Sequence, residues 1–86
     1  MEIIYSPTAK NDLEYWRKSG NKSIQKKISA LLVSIIETPF EGIGKPEPLK
    51  YEYAGCWSRR IDREHRIVYE VSGNIVNIYS FKGRYQ

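Results

Sequence analysis

Eighty-six residues, 41% of them hydrophobic and 13% aromatic, suffice for one small core, so a single domain over residues 1–86 is expected. A charged share of 28%, no apolar run near ~18 residues and no charged-then-apolar leader argue against a membrane span or export. The lone Cys56 has no disulfide partner and no His/Cys cluster beside it, so no disulfide, metal or cofactor is expected, and a reducing, cytoplasmic location follows.

In chain order, the β-rich opening predicts a strand over 2–5. Ser6-Pro7 reads as a helix start, with Ser6 capping free amides and Pro7 in the first helical position. Ala9, Leu13 and Trp16 form an apolar stripe, and Gly20 supplies a left-handed stop. A second helix is predicted from about Lys22 to Thr38, with Ile24, Ile28, Leu31, Leu32, Ile35 and Ile36 on one face and Pro39 ending it. The Pro/Gly-rich "TPFEGIGKPEPLK" is a loop, and strands follow near 50–53, 57–61, 65–72 and 74–82. "VSGNIV" is a two-residue hairpin turn. The outline is α+β, β-α-α-β-β-β-β, with a helical hairpin packed on one face of a mainly antiparallel sheet. The other face is left for polar work.

The net charge of +4 is unevenly placed. Lys45, Lys50, Arg59, Arg60, Arg63 and Arg66 precede Lys82 and Arg84, interleaved with Tyr51, Tyr53, Trp57 and Tyr85. Cations among flat rings suit a polyanion with stackable bases, although a plain basic β surface fits the charge equally well. A small domain of this kind also gains from dimerisation or a tightly bound partner.

If Asp62-Arg63-Glu64 is a turn, Ile61 pairs with His65 and Arg60 lies opposite Arg66. Like charges directly opposed in an antiparallel pair are destabilising, and an anion between them would resolve the conflict. A neutralising Glu64, Glu52 or Glu70 would serve as well. Continuing through Gly73-Asn74 pairs Val68 with Tyr79 and Arg66 with Phe81, so Arg66 would share a face with Phe81, Gly83 and Tyr85. Glu47, held stiffly between Pro46 and Pro48, can act as a positioned base or be an ordinary loop residue. His65 faces the same way as Ile67 and Tyr69, which suits a packed or hydrogen-bonded histidine. Cys56 is read as packing, and "GIG" at 42–44 lacks the context of a nucleotide loop.

The block "TPFEGIGKPEPLKYEYAGCWSRRIDREHRIVYEV", with "YSPTAKNDLEYW" before it, resembles the signature of YoeB-type toxins in the RelE superfamily. The resemblance spans nearly the whole chain. It implies a RelE-like fold and a toxin that enters the ribosomal A site and cuts messenger RNA without metal. It also implies a cognate antitoxin of YefM/Phd type. On this resemblance Glu47 is the base and Arg66 the phosphate clamp. Lys50 and Arg60 help the clamp and Tyr85 positions a base, while the clustered charge adds Lys45, Arg59 and Lys82 as RNA contacts. The family usually closes in His-Tyr, whereas this chain closes in Arg84-Tyr85-Gln86. Arginine yields a proton reluctantly at neutral pH. Arg84 therefore either stabilises the leaving group electrostatically or leaves a chain that binds ribosome or antitoxin without cleaving. Strict alternation places Arg84 away from Arg66 unless Gly83 introduces a bulge.

Overall fold

A computed structural model describes residues 1–83. Strand β1 (Glu2–Tyr5) leads into α1 (Pro7–Ser19) and α2 (Lys22–Glu37). A loop carries the short edge strand β2 (Glu47–Pro48), a 3₁₀ turn at Tyr51–Tyr53 follows, and β3 (Trp57–Arg60), β4 (Arg66–Ser72) and β5 (Ile75–Ser80) complete the order. The sheet runs β1-β5-β4-β3-β2, with β1 parallel to β5 and every other pair antiparallel. Two helices thus pack on a five-stranded mixed sheet, an α+β arrangement.

The helix boundaries follow from capping. Ser6 Oγ accepts the Ala9 amide at 3.0 Å and donates to the Tyr79 carbonyl at 2.8 Å, fixing α1 to β5. Gly20 ends α1 at φ 72°, and Asn21 Oδ1 caps α2 through the Ile24 amide. Ala9, Trp16, Ile24, Ile28, Leu31 and Ile35 meet Ile67, Tyr69, Val76 and Ile78 across the interface. Each buried aliphatic side chain there contributes roughly 1.5–3 kcal/mol. The predicted α2 stripe is one residue too wide, because Ile36 is exposed.

Two further expectations are corrected. The strand near 50–53 is a 3₁₀ turn, since Tyr51 takes φ 58° and the Leu49 amide closes the loop on the Cys56 carbonyl at 2.9 Å. The pairing lies at Glu47–Pro48 instead, where the sheet edge tolerates proline's missing N–H. The β4–β5 register also differs. It runs as predicted from Ser72↔Ile75 to Tyr69↔Ile78, then slips so that Val68 pairs with Ser80, not Tyr79. This bulge turns Phe81 inward with Ile78, fully buried among the helices and off the Arg66 face. Beyond Ser80 the chain leaves the sheet for α1. The Phe81 amide donates to Asp12 Oδ2 and its carbonyl accepts from Trp16 Nε1, both at 2.9 Å.

Candidate active site

The sheet face away from the helices gathers Glu47, Ser58, Arg60 and Arg66 at its β2–β3–β4 end. The expected opposition of Arg60 and Arg66 is present as a direct register pair. Pairing of β2 with β3 sets Glu47 against Ser58. The Arg66 Nη1 then donates to Ser58 Oγ at 3.0 Å and to Glu47 Oε1 at 3.4 Å. Ser58 is fully buried, so it holds the guanidinium from beneath while half the carboxylate stays open to solvent.

Beside this pair, Arg60, Asp62, Arg63 and Arg66 line a depression of about 280 Å³. A neighbouring hollow of about 340 Å³ adds Lys27 and Lys45 to Arg60 and Arg63. The one carboxylate among these linings, Asp62, is engaged in the turn, its Oδ1 accepting the Glu64 and His65 amides at 2.8 and 2.7 Å. Positive potential therefore concentrates where β3 turns into β4, directly next to a carboxylate–guanidinium pair. Such a pair can take a proton with one member and hold a charged oxygen with the other.

Arg59 requires correction. Expected to contact RNA, it is instead fully buried with every part of its guanidinium committed. Nη1 donates to Ser34 Oγ (2.6 Å) and the Ile43 carbonyl (3.1 Å). Nη2 donates to the carbonyls of Thr38 (2.6 Å) and Glu41 (2.8 Å), and Nε to the Tyr69 hydroxyl (3.1 Å). The rigid planar fork thus ties the end of α2 and the following loop to the sheet. The "GIG" glycines belong to this anchor. A Cβ on Gly44 would come within 2.6 Å of Leu31 Cδ2, and one on Gly42 within 2.5 Å of Ser34 Oγ. Gly44's carbonyl accepts the Arg60 amide at 2.7 Å, so the loop that delivers Glu47 is stitched to β3.

The remaining candidates divide. Lys45 and Lys50 are exposed on the loop side. Lys82 is drawn the other way, its Nζ lying 4.0 Å over the Tyr15 ring of α1. Arg84 and Tyr85 fall outside the described residues. His65 packs edge-on against Trp16, with ring centroids 4.8 Å apart, and its Nδ1 accepts the Gly83 amide. Ser58 was not among the sequence candidates, although it lies two residues before Arg60 and so on the same strand face.

Cys56 is partly buried, and burial first, then the nearby Glu70 charge, pushes its thiol up from the ordinary range. A raised thiol is a poor nucleophile near neutrality. Iodoacetamide at pH 7.5 is expected to label the native protein more slowly than the urea-unfolded chain. Equal rates in the two states would contradict the burial argument.

The family model for the YoeB-like toxin of bacterial type II toxin–antitoxin systems matches residues 5–85. Toxin YoeB of Escherichia coli K12 is 45% identical over 85 residues, covering 99% of this chain and 100% of that protein. The solved YoeB/ParE toxin from Agrobacterium tumefaciens superimposes with a TM-score of 0.94 at 39% identity, covering 99% and 100% of the two chains. The Staphylococcus aureus toxin, solved in a YoeB–YefM complex and as a YoeB dimer, gives TM-scores of 0.88 and 0.89 at 46% and 45% identity, each covering 99% of this chain and 98% of that one.

Proposed function

We propose that this chain, which belongs to the YoeB-like toxin family of bacterial type II toxin–antitoxin systems, cuts messenger RNA in the A site of translating ribosomes. The observation that carries this is the 3.4 Å approach of Glu47 to Arg66 beside a cation-lined hollow. Glu47 takes the proton from a ribose 2′-hydroxyl, whose oxygen bonds to the adjacent phosphorus. The bond from phosphorus to the 5′ oxygen breaks, leaving a 2′,3′-cyclic phosphate and, once protonated, a 5′-hydroxyl. Arg66, steadied by Ser58, offers a permanently charged, planar donor to the phosphoryl oxygens as negative charge builds. Arg60, Lys45 and Lys50 guide the flanking backbone, and Tyr85 positions a base.

The proton for the departing oxygen is the weak link. Arg84 stands where the family usually has histidine, and a guanidinium stabilises charge far better than it gives up a proton. That residue also favours a second reading, in which the chain occupies the ribosome or its antitoxin without cutting. A YefM-like antitoxin that covers the site, a homodimer and a cytoplasmic setting complete the proposal.

Mapping RNA 5′ ends on a translated message separates the two readings. New 5′-hydroxyl ends are expected between or within codons when ribosomes translate, with little cutting of naked RNA, and Arg84→His is expected to raise the yield. Blocked translation without new ends would leave the binding reading standing. Equal cutting of naked RNA would remove the ribosome requirement.

A further inference from the structure

His65, the only histidine, has no part in the reaction just described. Its backbone belongs to the β3–β4 turn, with the carbonyl accepting the Ile61 amide at 2.9 Å. Its ring does something else. Nδ1 accepts the Gly83 amide at 2.8 Å. Because that donor is a main-chain N–H, Nδ1 carries the lone pair and the ring proton sits on Nε2. The next residue, Arg66, donates its own amide to the Gly83 carbonyl at 3.1 Å. Two consecutive residues therefore grip both polar groups of one glycine.

That glycine is chosen for conformation, since it takes φ 78° and a Cβ there would meet nothing within 4 Å. Two residues earlier, Asp12 and Trp16 of α1 grip both polar groups of Phe81. Trp16 also carries the His65 ring on its edge. The segment 81–83, which has left the sheet, is thus fastened from α1 on one side and from β4 on the other. The fastening ends on the residue whose side chain meets Glu47.

We propose that His65 is a positioning residue for the cleavage reaction. Its Nδ1 locks Gly83 against the first residue of β4, which fixes the backbone that aims the Arg66 guanidinium. The proposal rests on the cleavage reading above. Simple packing against Trp16 is the competing account, and the two ask different things of the side chain. Packing needs a flat ring, whereas positioning needs an acceptor where Nδ1 lies. Phenylalanine keeps the ring and loses the acceptor. Asparagine loses the ring and places an amide oxygen near the Nδ1 position.

The test is cleavage of a ribosome-bound message by the wild type, His65→Phe and His65→Asn, together with hydrogen exchange at the Gly83 amide. His65→Phe is expected to lower kcat about 10- to 100-fold, the cost of misplacing a reacting group by about an ångström, with KM changed less than about threefold. His65→Asn is expected to recover most of that loss. Gly83 exchange should be slow in the wild type and in His65→Asn, and fast in His65→Phe. Wild-type rates in His65→Phe would overturn the proposal, as would a larger kcat loss in His65→Asn than in His65→Phe. A wild-type protein that cuts nothing removes the cleavage reading and the catalytic half of this one. Gly83 exchange then still decides whether Nδ1 holds the segment.

Discussion

Replacing Arg59 with methionine is expected to lower the melting temperature by about 15–35 °C, although Arg59 reaches neither solvent nor the Glu47–Arg66 pair. The guanidinium satisfies three loop carbonyls, those of Thr38, Glu41 and Ile43, and bonds the hydroxyls of Ser34 and Tyr69. Methionine matches the length of the stem and donates nothing. Tyr69 keeps its bond to the Pro39 carbonyl, but the three loop carbonyls, each in a part-buried hydrogen bond, lose their donor. Each acceptor left without a partner costs about 1–3 kcal/mol, toward the lower end where water can reach it. Three such acceptors would cost roughly 3–9 kcal/mol, and relief from desolvating a charge offsets part of it, so the net loss is about 3–5 kcal/mol. Small domains have only about 5–15 kcal/mol in total. Lysine, with one compact ammonium in place of a fork, should recover part of the stability but not span both the Ser34 side and the Glu41 side. Thermal and urea unfolding followed by circular dichroism give the answer. A methionine variant melting within about 5 °C of the parent would mean that the loop closes without its anchor.

Arg59 also shows how far a sequence can be read. Once Arg60 is placed opposite Arg66 on the open face, alternation sends Arg59 to the helix face with Ile67, so its burial was legible and the basic composition obscured it. The same rule misled at the end of β5. Ile78 and Phe81 are both apolar but three apart, a spacing that strict alternation cannot place on one face, and the bulge at Tyr79 reconciles them. Caps and tight turns were legible because they are local: Ser6, Gly20 and Gly73-Asn74 act within a few residues. The 3₁₀ turn at Tyr51–Tyr53 was not, since "KYEY" alternates like a strand and only the distant Leu49–Cys56 closure excludes it. The meeting of Glu47 with Arg66 depends on a two-residue edge strand paired at Ser58. No periodicity reveals a strand that short, and only the family resemblance linked the two residues in advance.

Glu47→Gln is expected to abolish most cleavage while leaving the fold intact, and this separation is what makes it informative. Glutamine preserves the size of the side chain and an acceptor oxygen for Arg66, whose guanidinium also stays on Ser58. The lost ion pair is half exposed, and pairs of that kind contribute about 1 kcal/mol or less. Melting should therefore move by only a few degrees, in contrast to the Arg59 variant. The amide, however, cannot accept the 2′ proton, and removing a positioned general base costs about 10²- to 10⁴-fold in rate. Binding should survive, since the cations around Arg60 and Lys45 are untouched and one negative charge near the RNA has gone. The expected signature is thus a folded variant that still associates with ribosomes, cuts at least 100-fold more slowly and cannot be rescued by more protein. A Gln variant that cuts within about threefold of the parent would show that another group takes the proton. The Glu47–Arg66 contact would then be an element of structure, holding β2 to the sheet, and not the centre of the chemistry.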